Sequence, residues 1–284
     1  MKDIVYDYRT INYLVRDKWA VLSGVVIIAY VILGLISNFK FADYALTATV
    51  SNSYLPPSFD SIELIFGTDL FGRSVLLKTL CGAYTAIKVG LIAVFISIPI
   101  GVVLGLVAGY FGGLVDDVVV WFYSTIASIP NIILLIAFTY VLGRGISSVY
   151  IALGLTTWIG LARLVRAEVM REKETEYVLG ARALGARSSR IIFRHVLPNL
   201  RHLVTVTFSV QFIHAVKAEV ILSFLGLGAY GTPSWGVMIN DSKQELVRGI
   251  WWQLAAASGA MFLLVLAFNV FSDSFEHVWD PKVK

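Results

Sequence analysis

Charge is what this chain lacks most. Only 15% of its 284 residues are Asp, Glu, Lys or Arg, where a soluble domain carries about a quarter. That deficit excludes an ordinary water-facing surface. Cys81 is the single cysteine, so there is no internal disulfide and no thiolate cluster for a metal. The phosphate-binding pattern G-x-x-x-x-G-K-[ST] is missing throughout, which excludes P-loop ATP binding by this chain. The four histidines, His195, His202, His214 and His277, form no H-E-x-x-H pattern. His195 and His202 stand seven apart among arginines, a poor setting for a metal. A G-x-S-x-G elbow is absent too. No nucleophile, base and oxyanion donor gather in one neighbourhood, so neither an enzyme site nor a cofactor is expected in this chain.

What the chain has in excess is apolar length. Apolar residues make up 57% of it, and its mean hydropathy is +0.77. A hydrocarbon core roughly 30 Å thick needs about 20 apolar residues at the helical rise of about 1.5 Å. Six such spans are predicted: Trp19–Phe39, Ala83–Tyr110, Leu114–Leu142, Ser148–Leu164, Leu203–Phe224 and Trp251–Phe271. The fold class expected is therefore an all-α membrane protein with six transmembrane helices. The first run is longer than a signal peptide's apolar region and lacks a small-x-small cleavage site before Lys40, so it reads as an uncleaved helix.

The net charge of +4 is a topological signal and calls for no nucleic acid. Basic residues gather before the first span (Lys2, Arg9, Arg16, Lys18), between Arg163 and Arg201, and at Lys282 and Lys284. With six spans these places share one side, and the positive-inside rule makes that side the cytoplasm. The chain then divides into a cytoplasmic amphipathic segment plus first span (1–40), an extracytoplasmic segment (41–82), a core of five spans (83–275) with a cytoplasmic loop (165–201), and a cytoplasmic tail (276–284). The piece Tyr8 to Trp19 has helical apolar spacing and is expected to lie along the lipid surface.

Local patterns add detail. Asp69 and Arg73 are spaced as an exposed helical ion pair, worth a few tenths of a kcal/mol. Gly101, Gly105 and Gly109 repeat every fourth residue, a stripe that lets helix backbones approach closely. Pro130 predicts a kink in the middle of the third span, and the GYFGG stretch at 109–113 a tight inner turn. Lys88, His214, Lys217 and Glu219 are the ionisable residues inside spans, with Asp116 and Asp117 at a boundary. Glu219 and Lys217 lie some 24 Å along the fifth span; either they snorkel to the outer headgroups, or Glu219 faces a pathway or pairs within the bundle. Ser223 to Gly236, SFLGLGAYGTPSWG, cannot continue a helix. It is expected to fold back over the outer mouth as a gate or lining, with Phe224 inside it and Trp235 near the interface.

The most telling stretch runs from Glu176 to Asn199, EYVLGARALGARSSRIIFRHVLPN, polar and arginine-rich between two lipid-soluble runs. Ala181, Ala183, Gly185 and Ala186 predict a short helix with a thin face, broken at Gly185. Ile191, Ile192, Phe193, Val196 and Leu197 make an apolar stripe that rests on the bundle, and Leu197-Pro198 stops the element. A helix held flat on the membrane, with Arg182, Arg187 and Arg190 beside small residues, fits a groove on a partner.

This stretch resembles the coupling motif E-A-A-x-x-x-G-x₉-I-x-L-P of bacterial ABC-importer permeases. Ala181, Gly185, Leu197 and Pro198 match; Leu179, Gly180 and His195 depart. RIIFRHVLPN, FGTDLFGRSVL, AGYFGG, AEVILSFLGLG, TPSWG and LAFNVFSDSFEHVWDP are similar to the second, C-type permease of the dipeptide/oligopeptide/nickel family. The resemblance implies the type I importer permease fold, with ATPase coupling through Ala181, Arg182, Ala183, Leu184, Gly185, Ala186, Arg187, Arg190, His195 and Pro198. It implies a homologous permease, two ABC ATPases carrying ATP and Mg, and an extracytoplasmic binding protein as partners in a prokaryotic inner membrane. An ion-coupled secondary transporter would need an internal repeat, and a multipass membrane enzyme would need polar residues clustered at one membrane face. Neither is evident.

Overall fold

The computed structural model describes residues 17–228 and 231–279, and every regular element among them is helical. The predicted surface piece before Asp17 and the last five residues lie outside the described residues. Helix α1 (Lys18–Thr47) starts where the Asp17 carboxylate accepts from Trp19 N at 3.0 Å. Its buried positions are small (Ala20, Ser23, Gly34, Ser37 and Ala45) while Val25, Ile28 and Ile32 face outward. Small residues inside and large ones outside are what a lipid-facing helix needs to pack closely without a hydrophobic drive.

Helix α2 (Val75–Phe111) is the axis of the bundle. Ser74 caps it, its hydroxyl accepting from Leu77 N at 3.3 Å. It packs most extensively against α6 (Trp158–Glu172). The glycine stripe makes that contact: a Cβ on Gly101, Gly105 or Gly109 would stand 2.9, 2.5 and 2.7 Å from the carbonyl oxygens of Trp158, Ala162 and Arg166. α6 continues α5 (Ile146–Thr156) after a slip at Thr157, and together they make one span of 27 residues. That span reaches past the expected end at Leu164 to Glu172, so Arg166 and Arg171 belong to it.

The third span is more than kinked. It consists of α3 (Gly113–Ala127) and α4 (Asn131–Leu142), bent by 87°. Pro130 has no N–H and disfavours helix at Ile129, while the Ser128 hydroxyl donates to Thr125 O at 2.7 Å and closes α3. At about 22 and 18 Å, neither half crosses a bilayer alone. With the bent pair counted as one, six spans among the described residues are long and apolar enough to cross.

Beyond α6 come α7 (Glu176–Ala183) and α8 (Ser188–Ile191), then a π turn (Ile192–Val196) and a 3-10 turn (Leu197–Leu200) that lead into α9 (Arg201–Phe224). Leu197-Pro198 therefore does not stop the element. Pro198 sits in the first turn of the 3-10 segment, where a missing N–H costs little. Helix α10 (Trp235–Val247) folds back into the bundle, and α11 (Trp252–Trp279) completes it.

Candidate functional site

The end of the bundle that carries the arginine-rich stretch is built around α7. Val178, Ile191, Ile192, Val196 and Leu200 pack with Leu106, Tyr110, Leu161, Val165 and Val169 at the ends of α2 and α6. Asn199 Nδ2 donates to the Tyr177 hydroxyl at 2.6 Å, Tyr177 donates to Glu172, and Lys173 Nζ donates to Gly109 O at 3.0 Å. This last bond satisfies a carbonyl left over at the end of α2. The helix expected over 181–186 lies further back and ends at Ala183. Gly185 has φ +81°, its N–H bonds Arg182 O at 3.0 Å, and Ala186 N–H bonds Ala181 O at 3.1 Å. This left-handed cap needs glycine.

What the turn presents is Leu184, 91% exposed, with Arg182, Ala183, Gly185, Arg187 and Arg190 also exposed. Ala181, Ala186, His195 and Pro198 are half-buried. The His195 ring lies 6.2 Å from that of Tyr177. Phe193 departs from the expected stripe: it is 70% exposed and does not rest on the bundle.

In the membrane, α3, α4, α5, α6 and α9 enclose a cavity of about 820 Å³. Its walls are mostly apolar, with a polar minority of Asn131, Thr156, Thr157, Thr207, Gln211 and His214. Gln211 is fixed, accepting from Ser97 Oγ at 2.6 Å and donating to Thr157 O at 3.3 Å. Pro130, Asn131 and Leu134 at the elbow form part of its wall. Nearer the inner side, Arg166 holds both oxygens of Asp116, the partner that the boundary carboxylate needed.

In the 41–82 segment the expected Asp69–Arg73 helical pair does not exist. Gly67 and Gly72, both with positive φ, wrap residues 67–73 into a turn. Asp69 is buried there, its Oδ1 accepting from the N–H of Phe71 and Arg73 at 2.8 and 2.9 Å. Its Oδ2 pairs with Lys78 Nζ at 3.0 Å, and Lys78 donates to Gln253 Oε1 at 3.1 Å. Arg73 instead lies over the Phe71 ring at 4.5 Å. Asp241 and Glu245 on α10 close the cluster around a smaller cavity of about 360 Å³. Burial pushes Glu245 up to about 7 against the pull of Lys78, and burial also raises Asp241. Nothing in the sequence pointed to this network, since its members are spread over 69–253.

Two other expectations need correction. Trp235 is not interfacial: it is 1% exposed, its Nε1 donates to Thr79 O at 2.9 Å, and it fills the space left by Gly82. Glu219 does not snorkel. It is 1% exposed and accepts from Ser223 Oγ at 2.7 Å. Neither lines the large cavity. Phe224 is half-buried, with Lys243 Nζ 3.5 Å from its ring centre. The described part of the Ser223–Gly236 segment does fold back, with Gly236 packed on Val220 and Ser223.

Six apolar spans among the described residues, three of them lining a partly polar cavity, and an ordered basic turn at one end are the features of a membrane permease. The chain belongs to the family of binding-protein-dependent transport system inner membrane components, whose model matches residues 101–284. It is 34% identical over 95% of its length to the dipeptide transport system permease protein DppC of Bacillus subtilis, covering 84% of that protein. To the oligopeptide transport system permease protein OppC of the same organism it is 33% identical, over 95% of this chain and 88% of that one. Among solved structures it resembles the MetNI methionine ABC transporter in inward-facing form (TM-score 0.52, 20% identity, 72% of this chain and 92% of that one). It also resembles an amino acid ABC transporter crystallised with histidines (TM-score 0.52, 16% identity, 70% and 93%). The fold is the ABC-importer permease fold, and the secondary-transporter and enzyme alternatives are not favoured.

Proposed function

We propose that this chain is the C-type membrane subunit of an ATP-driven importer for peptides or a related small solute, lining the pathway together with a homologous permease. An extracytoplasmic binding protein delivers cargo from outside. Two ABC ATPase subunits, which carry ATP and Mg, receive the inner turn. Both termini and the 165–201 loop face the cytoplasm of a prokaryotic cell, the 41–82 segment faces out, and residues 83–275 form the core. The names of the relatives support the peptide class.

The observation that carries the coupling role is the placing of Leu184 and Gly185. Their turn is clamped from above by a buried apolar face, yet a side chain as large as leucine is left in the open. A groove that covered Leu184 would gain roughly 1.5–3 kcal/mol from it. Ala181, Arg182, Ala183, Ala186, Arg187 and Arg190 flank that contact, while His195 and Pro198 hold the turn's return to α9. On the outer side, Ser223–Gly236 acts as a gate hung on Glu219 and Trp235, with Phe224 on its moving face.

The test is co-expression with a homologous permease, an ABC ATPase pair and a binding protein. The wild-type chain should copurify with the ATPases and support ATP-driven peptide uptake, whereas Leu184→Glu should lose both at normal membrane levels. Normal uptake by Leu184→Glu would refute the docking assignment.

A further inference from the structure

One face of α9 carries Val210, His214, Lys217 and Ile221, all exposed, at spacings of four, three and four residues. The opposite face, with Phe212, Ile213, Val216, Glu219 and Val220, is buried in the bundle. His214 lines the 820 Å³ cavity and is the sole titratable side chain in its lining. It stands about 20 Å from the inner end of α9, and Lys217 about 4.5 Å further along the axis. An ammonium group at that depth is disfavoured in lipid and belongs on a water-filled or protein-covered surface. No Asp or Glu lines the cavity beside His214, and Lys217 lies one turn further along the same exposed face of α9. Lys88, another cation within a span, lies 5.8 Å from the Tyr84 ring.

We infer that His214 and Lys217 form a carboxylate-reading step in the pathway. The inference rests on the peptide-import reading and gives it a chemical filter. A lysine ammonium and an imidazole N–H offer charge-assisted hydrogen bonds to one carboxylate. The apolar walls accept side chains of any sequence, while Asn131, Thr156, Thr157 and Thr207 supply hydrogen bonds to peptide amides. A free carboxylate at the C-terminus is the one anion that every unmodified peptide carries. An acidic side chain offers the same chemistry. A metal cation as cargo would meet the wrong sign of charge.

The experiment uses the full transporter in proteoliposomes, with its binding protein, and measures ATP-driven uptake. Three cargoes are compared: a neutral dipeptide with a free C-terminus, its C-terminal amide, and the amide of a dipeptide bearing a glutamate side chain. The binding protein is the same in every arm, so its own preference cancels when variants are compared. The double variant His214→Gln/Lys217→Met should reduce the preference for free over amidated peptide by about tenfold, the worth of one charge-assisted hydrogen bond. Lys217→Arg should keep that preference, which shows that the site tolerates substitution. If the acidic side chain is the group read, the glutamate-bearing amide alone should be favoured over the neutral amide, and that advantage should vanish in the double variant. An unchanged ratio in a double variant that transports overturns the inference and leaves the import reading intact. A preference lost equally in Lys217→Arg also overturns it. Absence of ATP-driven uptake for every cargo in the wild type overturns both.

Discussion

Lys78 is the keystone of the outer face, and its removal has a computable consequence. Its side chain is 5% exposed and bonds Asp69 at 3.0 Å and Gln253 at 3.1 Å. Lys78→Met keeps most of the volume, so packing changes little, but Asp69 is left as a buried charge without its cation. Breaking a buried pair from one side costs about 3–5 kcal/mol. Adding Asp69→Asn removes the stranded charge while its side-chain oxygen still accepts from Phe71 and Arg73. The double variant should then lie only about 1–2 kcal/mol below wild type, the residue of Gln253's lost partner and a weakened turn. The single cysteine supplies the assay: Cys81 is fully buried, so a thiol-reactive dye labels it as the protein unfolds in detergent. The expected order of melting is wild type, then the double variant, then Lys78→Met well below both. A single variant that lies within about 1 kcal/mol of wild type, or that melts no lower than the double variant, would refute the argument.

Two further outcomes are expected. In a Cys81→Ala background, cysteines at the exposed positions Ser53 and Val247 should label from outside with an impermeant reagent, and one at Ser189 only after the membrane is opened; outside labelling of Ser189 would reverse the orientation. Glu245 has a pKa raised from 4.5 to about 7, so between those values the folded chain holds a proton that the unfolded chain releases. Stability should therefore fall as pH rises from about 5 to 7.5, and Glu245→Gln should flatten that dependence; parallel slopes for the two proteins would count against it.

The spans were legible because a bilayer imposes a length and a composition that run along the chain, as in Val75–Phe111. The glycine stripe was legible for the same reason: Gly101, Gly105 and Gly109 are periodic, and the packing they allow is local to one helix pair. Pro130 was visible as a break, but its angle was not, since the size of a bend depends on what packs inside it. The outer network was hidden. Asp69, Lys78 and Gln253 are separated by up to 184 positions, and the i, i+4 spacing of Asp69 and Arg73 imitated a helix where Gly67 and Gly72 make a turn. Trp235 misled in another way, because an amphipathic ring suits an interface as well as a core with a carbonyl to spare, here that of Thr79. At the inner site the residues were legible and the register was not; the cap at Gly185 decides where α7 ends, and that depends on its left-handed φ.

The right-angled elbow at Pro130 has a mechanical side. A straight helix bends only by giving up internal hydrogen bonds, whereas here the rupture is already built in and closed on the α3 side by Ser128. α4 can therefore swing as a stiff arm about one or two backbone torsions. The arm is about 18 Å long, so a rotation of about 10° carries its far end roughly 3 Å, close to the width of a water molecule. Such a stroke widens or narrows the space beside His214 without unwinding either half-helix. The chain thus contains a pivot whose motion is limited by what leans on the arm and not by the arm itself.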